Sequence, residues 1–152
     1  MSFGFPLGRN SLAVVKNLCA YLSKASVVSS EGLFRLSADN EQIDAWVARL
    51  DADPRTDLAA IHDPNLVASL LKRFLRLLSP PLLTFDLYEA FIEAAKQEDK
   101  TAMLSKLCAC VMKLPPLNHD ILAELLQVRA CVVTFPPHFF SSLIILCSCC
   151  CW

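Results

Sequence analysis

The sequence predicts an all-α fold. Three observations lead there. Apolar residues recur three and four positions apart in six separate segments. No run before residue 128 alternates convincingly at period two. Proline, serine and aspartate sit at the segment ends, where they start and stop helices.

The first helix carries Leu12, Val15, Leu18, Cys19 and Leu22 on one stripe. After it comes EGLFRL, residues 31–36, with a glycine two places before an aromatic residue and an arginine. This stretch reads as a loop, because SADNEQI downstream is a helix start with either Ser37 or Asp39 as N-cap. The second helix presents Ile43, Trp46, Val47 and Leu50. DADPRTD is a turn-rich break, and Asp63-Pro64 opens the strongest helix, PNLVASLLKRFLRLL. Proline is tolerated at the first turn because its missing N–H has no helical partner there anyway. The buried stripe of this helix is Leu66, Val67, Leu70, Leu71, Phe74 and Leu78, and SPP stops it.

Two shorter amphipathic segments follow, residues 86–96 (Leu87, Phe91, Ala94, Ala95) and 100–113 (Met103, Leu107, Cys110, Val111). Pro115-Pro116 breaks the pattern. Asn118 or Asp120 then starts a last helix through Gln127. Beyond it the character changes. Residues 128–152 carry one charge, Arg129, two adjacent prolines and no helical stripe. Their longest apolar stretch falls short of the ~20 residues that a membrane-spanning helix needs. The expected division is a helical domain over residues 1–127 and a divergent apolar, cysteine-rich tail over 128–152.

Composition narrows the function. The length of 152 residues suits one domain with one core. A net charge of −1 argues against nucleic acid or an anionic membrane as a partner attracted by bulk charge. No basic stretch followed by a long apolar run opens the sequence, so a cytoplasmic location with reduced thiols is expected. Of the eight cysteines, four crowd into residues 147–151 and no CxxC pair recurs at zinc-ribbon spacing. No metal or cofactor is expected. His62, His119 and His138 lack the context of catalytic bases for a cysteine nucleophile. S-acylation at Cys147, Cys149, Cys150 and Cys151 is the one membrane route this sequence suggests.

Taken in order, several segments resemble one family. FGFPL is similar to its opening FGxPL, and VVKNLCAYLSK to its first core helix. GLFR resembles its arginine-finger motif, G-[IL]-[FY]-R. LLKRFLR resembles the helix that carries a lysine and an arginine four apart, and KLPPLNHDILAELL a later helix. Over about residues 3–127 the chain thus resembles the RhoGAP domain, the GTPase-activating module for Rho-family small GTPases. The ordered set is specific where GLFR alone is weak. In the family, a helix like ILAELLQ runs on into a segment holding an asparagine near the GTPase switch regions, whereas here no asparagine follows Asn118. The resemblance therefore implies a RhoGAP-like helical bundle that is incomplete at its C-terminus.

The resemblance also implies roles. Arg35 would be the catalytic finger, inserted into the active site of a GTP-bound Rho-family GTPase. Phe34 would bury beside it. Lys72 would contact the switch surface and Arg76 would support the finger loop; their spacing of four puts them on one helix face. Glu31 could pair with a nearby base. Arg73 lies off that line and reads as plain surface. Ser79 and Leu77 depart from the family's usual proline and polar residue, which loosens the expected helix exit. A chain of this kind would activate a partner's GTP hydrolysis rather than be an enzyme alone. The alternative is a truncated isoform that binds weakly or is inactive.

Overall fold

The computed structural model describes residues 5–6, 9–30 and 32–131. Seven helices and one minimal parallel ladder make up the described part. They run β1 (Phe5–Pro6), α1 (Arg9–Leu22), α2 (Ala25–Val28), α3 (Asn40–Ala52), α4 (Pro64–Leu77), β2 (Leu78–Ser79), α5 (Tyr88–Ala95), α6 (Lys100–Val111) and α7 (Pro116–Cys131). The ladder pairs Phe5 with Leu78 and Pro6 with Ser79. Two residues per strand are too few to write a period-two pattern, so the ladder had no sequence signature.

α4 is the axis of the bundle. Every residue from Leu66 to Leu71 is buried, as are Phe74 and Leu75. Its start follows the expected chemistry: Asp63 Oδ1 accepts from Asn65 N at 2.9 Å, with Pro64 in the first turn. α1 packs against α4 on one side and α7 on the other, α3 lies on α4, and α5 pairs with α6. The expected stripes meet in this core, with Val15, Leu18, Leu22, Val67 and Ile121 essentially sealed from water. At about 25 cal/mol per Å² this apolar burial is the main stabilising term.

Buried and part-buried polar groups tie the connections to the helices. Tyr21 Oη donates to Ile61 O at 2.7 Å, and Asn17 Nδ2 donates to Thr56 O at 2.8 Å, so α1 holds the turn-rich segment before α4. Asn118 is buried and its Nδ2 donates to Leu82 O at 2.7 Å.

That last contact corrects the expected start of the final helix. Neither Asn118 nor Asp120 caps it. The helix begins at Pro116, and Asn118 lies inside its first turn. Proline at the first position needs no N–H partner, and the Asn118 amide, inside the helix, donates across to the α4–α5 connection instead of capping. The helix also passes the expected end at Gln127 and runs to Cys131, with Val128 buried in the core. The segment expected over 86–96 is helical only over Tyr88–Ala95, and the one expected over 100–113 starts at Lys100 as anticipated, where Asp99 Oδ2 accepts from Ala102 N at 2.7 Å, but ends at Val111. Ala95 is exposed rather than part of the α5 stripe.

Candidate functional site: the Arg35 loop on helix α4

Residues 32–39 form a tight loop between α2 and α3. Gly32 sits at φ +78°, in the left-handed region that a residue without Cβ adopts freely. A Cβ there would stand 3.0 Å from Leu36 Cδ1. Gly32 O accepts from both Arg35 N at 2.9 Å and Leu36 N at 3.0 Å, which folds the loop into one turn around Phe34. Phe34 itself has φ +69°, a conformation that costs a residue with a Cβ roughly 1–2 kcal/mol. It is held there from both ends: the ring is half-buried and packed against the core, and the carbonyl accepts from Lys72 Nζ at 3.2 Å. The backbone reverses at Phe34, and the next side chain, Arg35, is exposed.

The far side of the loop is held by a second bond from the same helix. Ala38 N donates to Ser69 Oγ at 3.2 Å. Ser69 and Lys72 are three apart on α4, hence on one face. They grip the backbone on either side of Arg35, one through a carbonyl and one through an N–H. Between the loop and α4 runs a groove of about 230 Å³, with Ser37, Asn40, Lys72, Arg73 and Arg76 on its walls. Burial pushes the Lys72 ammonium below the usual lysine range, as its carbonyl partner replaces only part of the lost water.

Arg35, Phe34, Lys72 and Arg76 are thus brought to one end of α4. Glu31 lies outside the described residues. Lys72, expected to contact the switch surface of a partner, directs its ammonium onto the loop backbone in the chain alone. Arg76 shares the groove wall. Arg73 is not plain surface: its Nη2 reaches Asp44 Oδ1 at 3.2 Å and bridges α4 to α3. Ser69 was missed altogether. Its signal was present, a single hydroxyl in the otherwise apolar run Leu66–Leu71, three residues before a lysine of interest. A buried hydroxyl without a partner is costly, so it had to be bonded to something.

Other chemistry is sparse. The Cys19 thiol is pushed up to about 12 by burial and secondarily by Glu124, which leaves it protonated and inert at neutral pH. Among the described residues no three His, Cys, Asp or Glu side chains group as metal ligands, and no helix is long and apolar enough to cross a membrane. Cys147, Cys149, Cys150, Cys151 and His138 lie outside the described residues.

Comparisons with known proteins converge on one family. The RhoGAP domain matches residues 13–135. The chain is 36% identical over 138 residues to the Rho GTPase-activating protein gacJJ of Dictyostelium discoideum, covering 87% of this chain and 16% of that protein. It is 33% identical over 123 residues to human Rho GTPase-activating protein 17, covering 77% of this chain and 14% of that one. The chain thus spans about a sixth of the length of these curated relatives. Among solved structures, the BH domain from GRAF, the GTPase regulator associated with focal adhesion kinase, superposes with a TM-score of 0.77 at 26% identity, covering 84% of this chain and 69% of that one. The loop motif GLFR, the α4 face that grips it and the matched length agree: this chain belongs to the RhoGAP domain family.

Proposed function

We propose that this chain accelerates GTP hydrolysis by a Rho-family small GTPase in its GTP-bound state, with Arg35 supplied in trans as an arginine finger. The chain is an activator in this reading; the hydrolytic site belongs to the GTPase. The observation that carries the proposal is the exposed Arg35 on a loop gripped on both sides by α4, in a member of the RhoGAP family.

The chemistry follows from phosphoryl transfer. As the γ-phosphoryl group leaves, negative charge spreads over its oxygens, and a guanidinium placed there stabilises the transition state more than the ground state. Arginine is always charged at neutral pH and presents a planar fork of donors. Rigidity of the loop backbone matters because a mobile loop must be ordered at every turnover, whereas a held one leaves only the Arg35 side chain to be ordered. Phe34 anchors the loop in the core, Lys72 holds its near side, and Arg76 and Glu31 are the remaining residues of the proposed GTPase-facing and loop-supporting set. In the free chain the Arg35 Nη2 lies 3.7 Å from the place a Gly32 Cβ would occupy, folded back over its own loop. It would extend on docking.

A second reading, binding without acceleration, draws on coverage. The chain matches 69% of the GRAF domain, so surface contributed by the remainder of that domain has no counterpart in the match. Single-turnover GTP hydrolysis by Rho-, Rac- and Cdc42-type GTPases separates the two. An in-trans finger is worth about 10³–10⁵ in rate. Acceleration that Arg35→Ala abolishes, and that Arg35→Lys recovers poorly, is the expected result. Binding with no acceleration by a folded chain would overturn the first reading in favour of the second.

A further inference from the structure

The start of α3 lacks the local device that normally secures a helix N-terminus. Asp39 occupies the N-cap position in extended conformation, yet its side chain makes no capping bond. The chain just before it is secured from another helix instead, by Ser69 Oγ accepting from Ala38 N. Ser69 is 5% exposed and lies in an α4 segment whose other members from Leu66 to Leu71 are apolar and buried. A hydroxyl in such a place is not explained by packing, since alanine would fill the site without a polar group to satisfy. Its partner lies three residues beyond Arg35, on the side of the loop opposite the Lys72 bond to Phe34.

We propose that Ser69 is a positioning residue for Arg35, setting the exit of the loop so that the guanidinium is presented in one direction. This rests on the functional reading above. Lys72 alone leaves the loop hinged at Phe34; the Ser69 bond removes that freedom at Ala38 and also fixes where α3 begins. Ser69 touches neither the partner nor the reacting atoms, so its influence on rate passes through Arg35.

Two measurements test this, on the full chain, with Ser69→Ala and the hydroxyl-retaining Ser69→Thr. The first is amide hydrogen exchange at Ala38, which needs no GTPase. Exchange should quicken by about tenfold in Ser69→Ala, as expected when one net hydrogen bond of ordinary strength is lost, and return toward the original in Ser69→Thr. The second is GTPase activation, read as kcat and KM with the GTP-loaded GTPase as substrate. Ser69→Ala should lower kcat by about 10- to 100-fold, the scale of an ångström-sized misplacement, with KM nearly unchanged. In an Arg35→Ala background the same substitution should do nothing further. Unchanged Ala38 exchange overturns the pin. Quickened exchange with unchanged kcat, or an equal loss in the Arg35→Ala background, overturns the positioning role. A chain that shows no Arg35-dependent acceleration at all overturns the functional reading and this role with it, while the exchange result still decides whether the bond exists.

Discussion

Phe34 gives the sharpest test of how the loop is held. At φ +69° its backbone carries a left-handed penalty of about 1–2 kcal/mol, which a glycine does not incur. Its ring, packed partly buried against the core, offsets that penalty: full burial of such a side chain contributes about 1.5–3 kcal/mol, and most of the ring is out of water here. Phe34→Ala removes the ring and keeps the strain. Phe34→Gly removes the ring and the strain, but gives the unfolded chain extra freedom worth about 0.4–1 kcal/mol. The difference favours glycine by about 0.5–1 kcal/mol, the reverse of the usual order of these two residues. Urea unfolding followed by circular dichroism would report it as a higher midpoint for Phe34→Gly than for Phe34→Ala at equal slope. In a thermal melt it amounts to about 1–4 °C. Both variants should fall below the unsubstituted chain. Phe34→Ala equal to or more stable than Phe34→Gly would refute the left-handed turn, and with it the account of how Arg35 is projected.

Two further expectations concern the scaffold. Asn118→Ala leaves the Leu82 carbonyl without its 2.7 Å donor in a sealed site and should cost about 1–3 kcal/mol, read from the urea midpoint; a loss under about 0.5 kcal/mol would mean the bond is not a tie between α7 and the α4–α5 connection. Tyr21 has its pKa raised by burial and then by Asp63, so its stabilising contribution is complete below the ordinary value of 10.0 and is lost as pH rises through the raised one. Tyr21→Phe should therefore be less stable by about 1 kcal/mol at neutral pH and should lose less stability above pH 10. Cys19, raised in the same direction, leaves some alkaline loss in both proteins, and identical alkaline slopes would refute the raised Tyr21 pKa.

The helices were legible because each writes its own periodic stripe. Leu66, Val67, Leu70, Leu71 and Phe74 announce α4 without reference to any other part of the chain, and the Asp63-Pro64 start is equally local. The ordered motifs around GLFR identified the family, since matching several segments in sequence order is much harder by chance than matching one. The α7 start misled because asparagine and aspartate are both good caps in isolation. Which of Pro116, Asn118 and Asp120 opens the helix depended on Leu82, 36 residues away, whose carbonyl takes the Asn118 amide.

By itself, then, the sequence determined the all-α class, the positions of the core helices, and the presence of an arginine in a glycine-containing loop between two of them. Periodicity, capping and turn chemistry are local properties, carried by residues within a few positions of one another. Only the tertiary structure decided how that arginine is held. The left-handed backbone at Phe34, the inward turn of Lys72, the bridge from Arg73 to Asp44 and the grip of Ser69 on Ala38 each join residues about 30 or more positions apart, or depend on such a contact. A hydroxyl or an ammonium does not encode its partner in its neighbours; it acquires one when packing excludes water and leaves a single backbone group within reach.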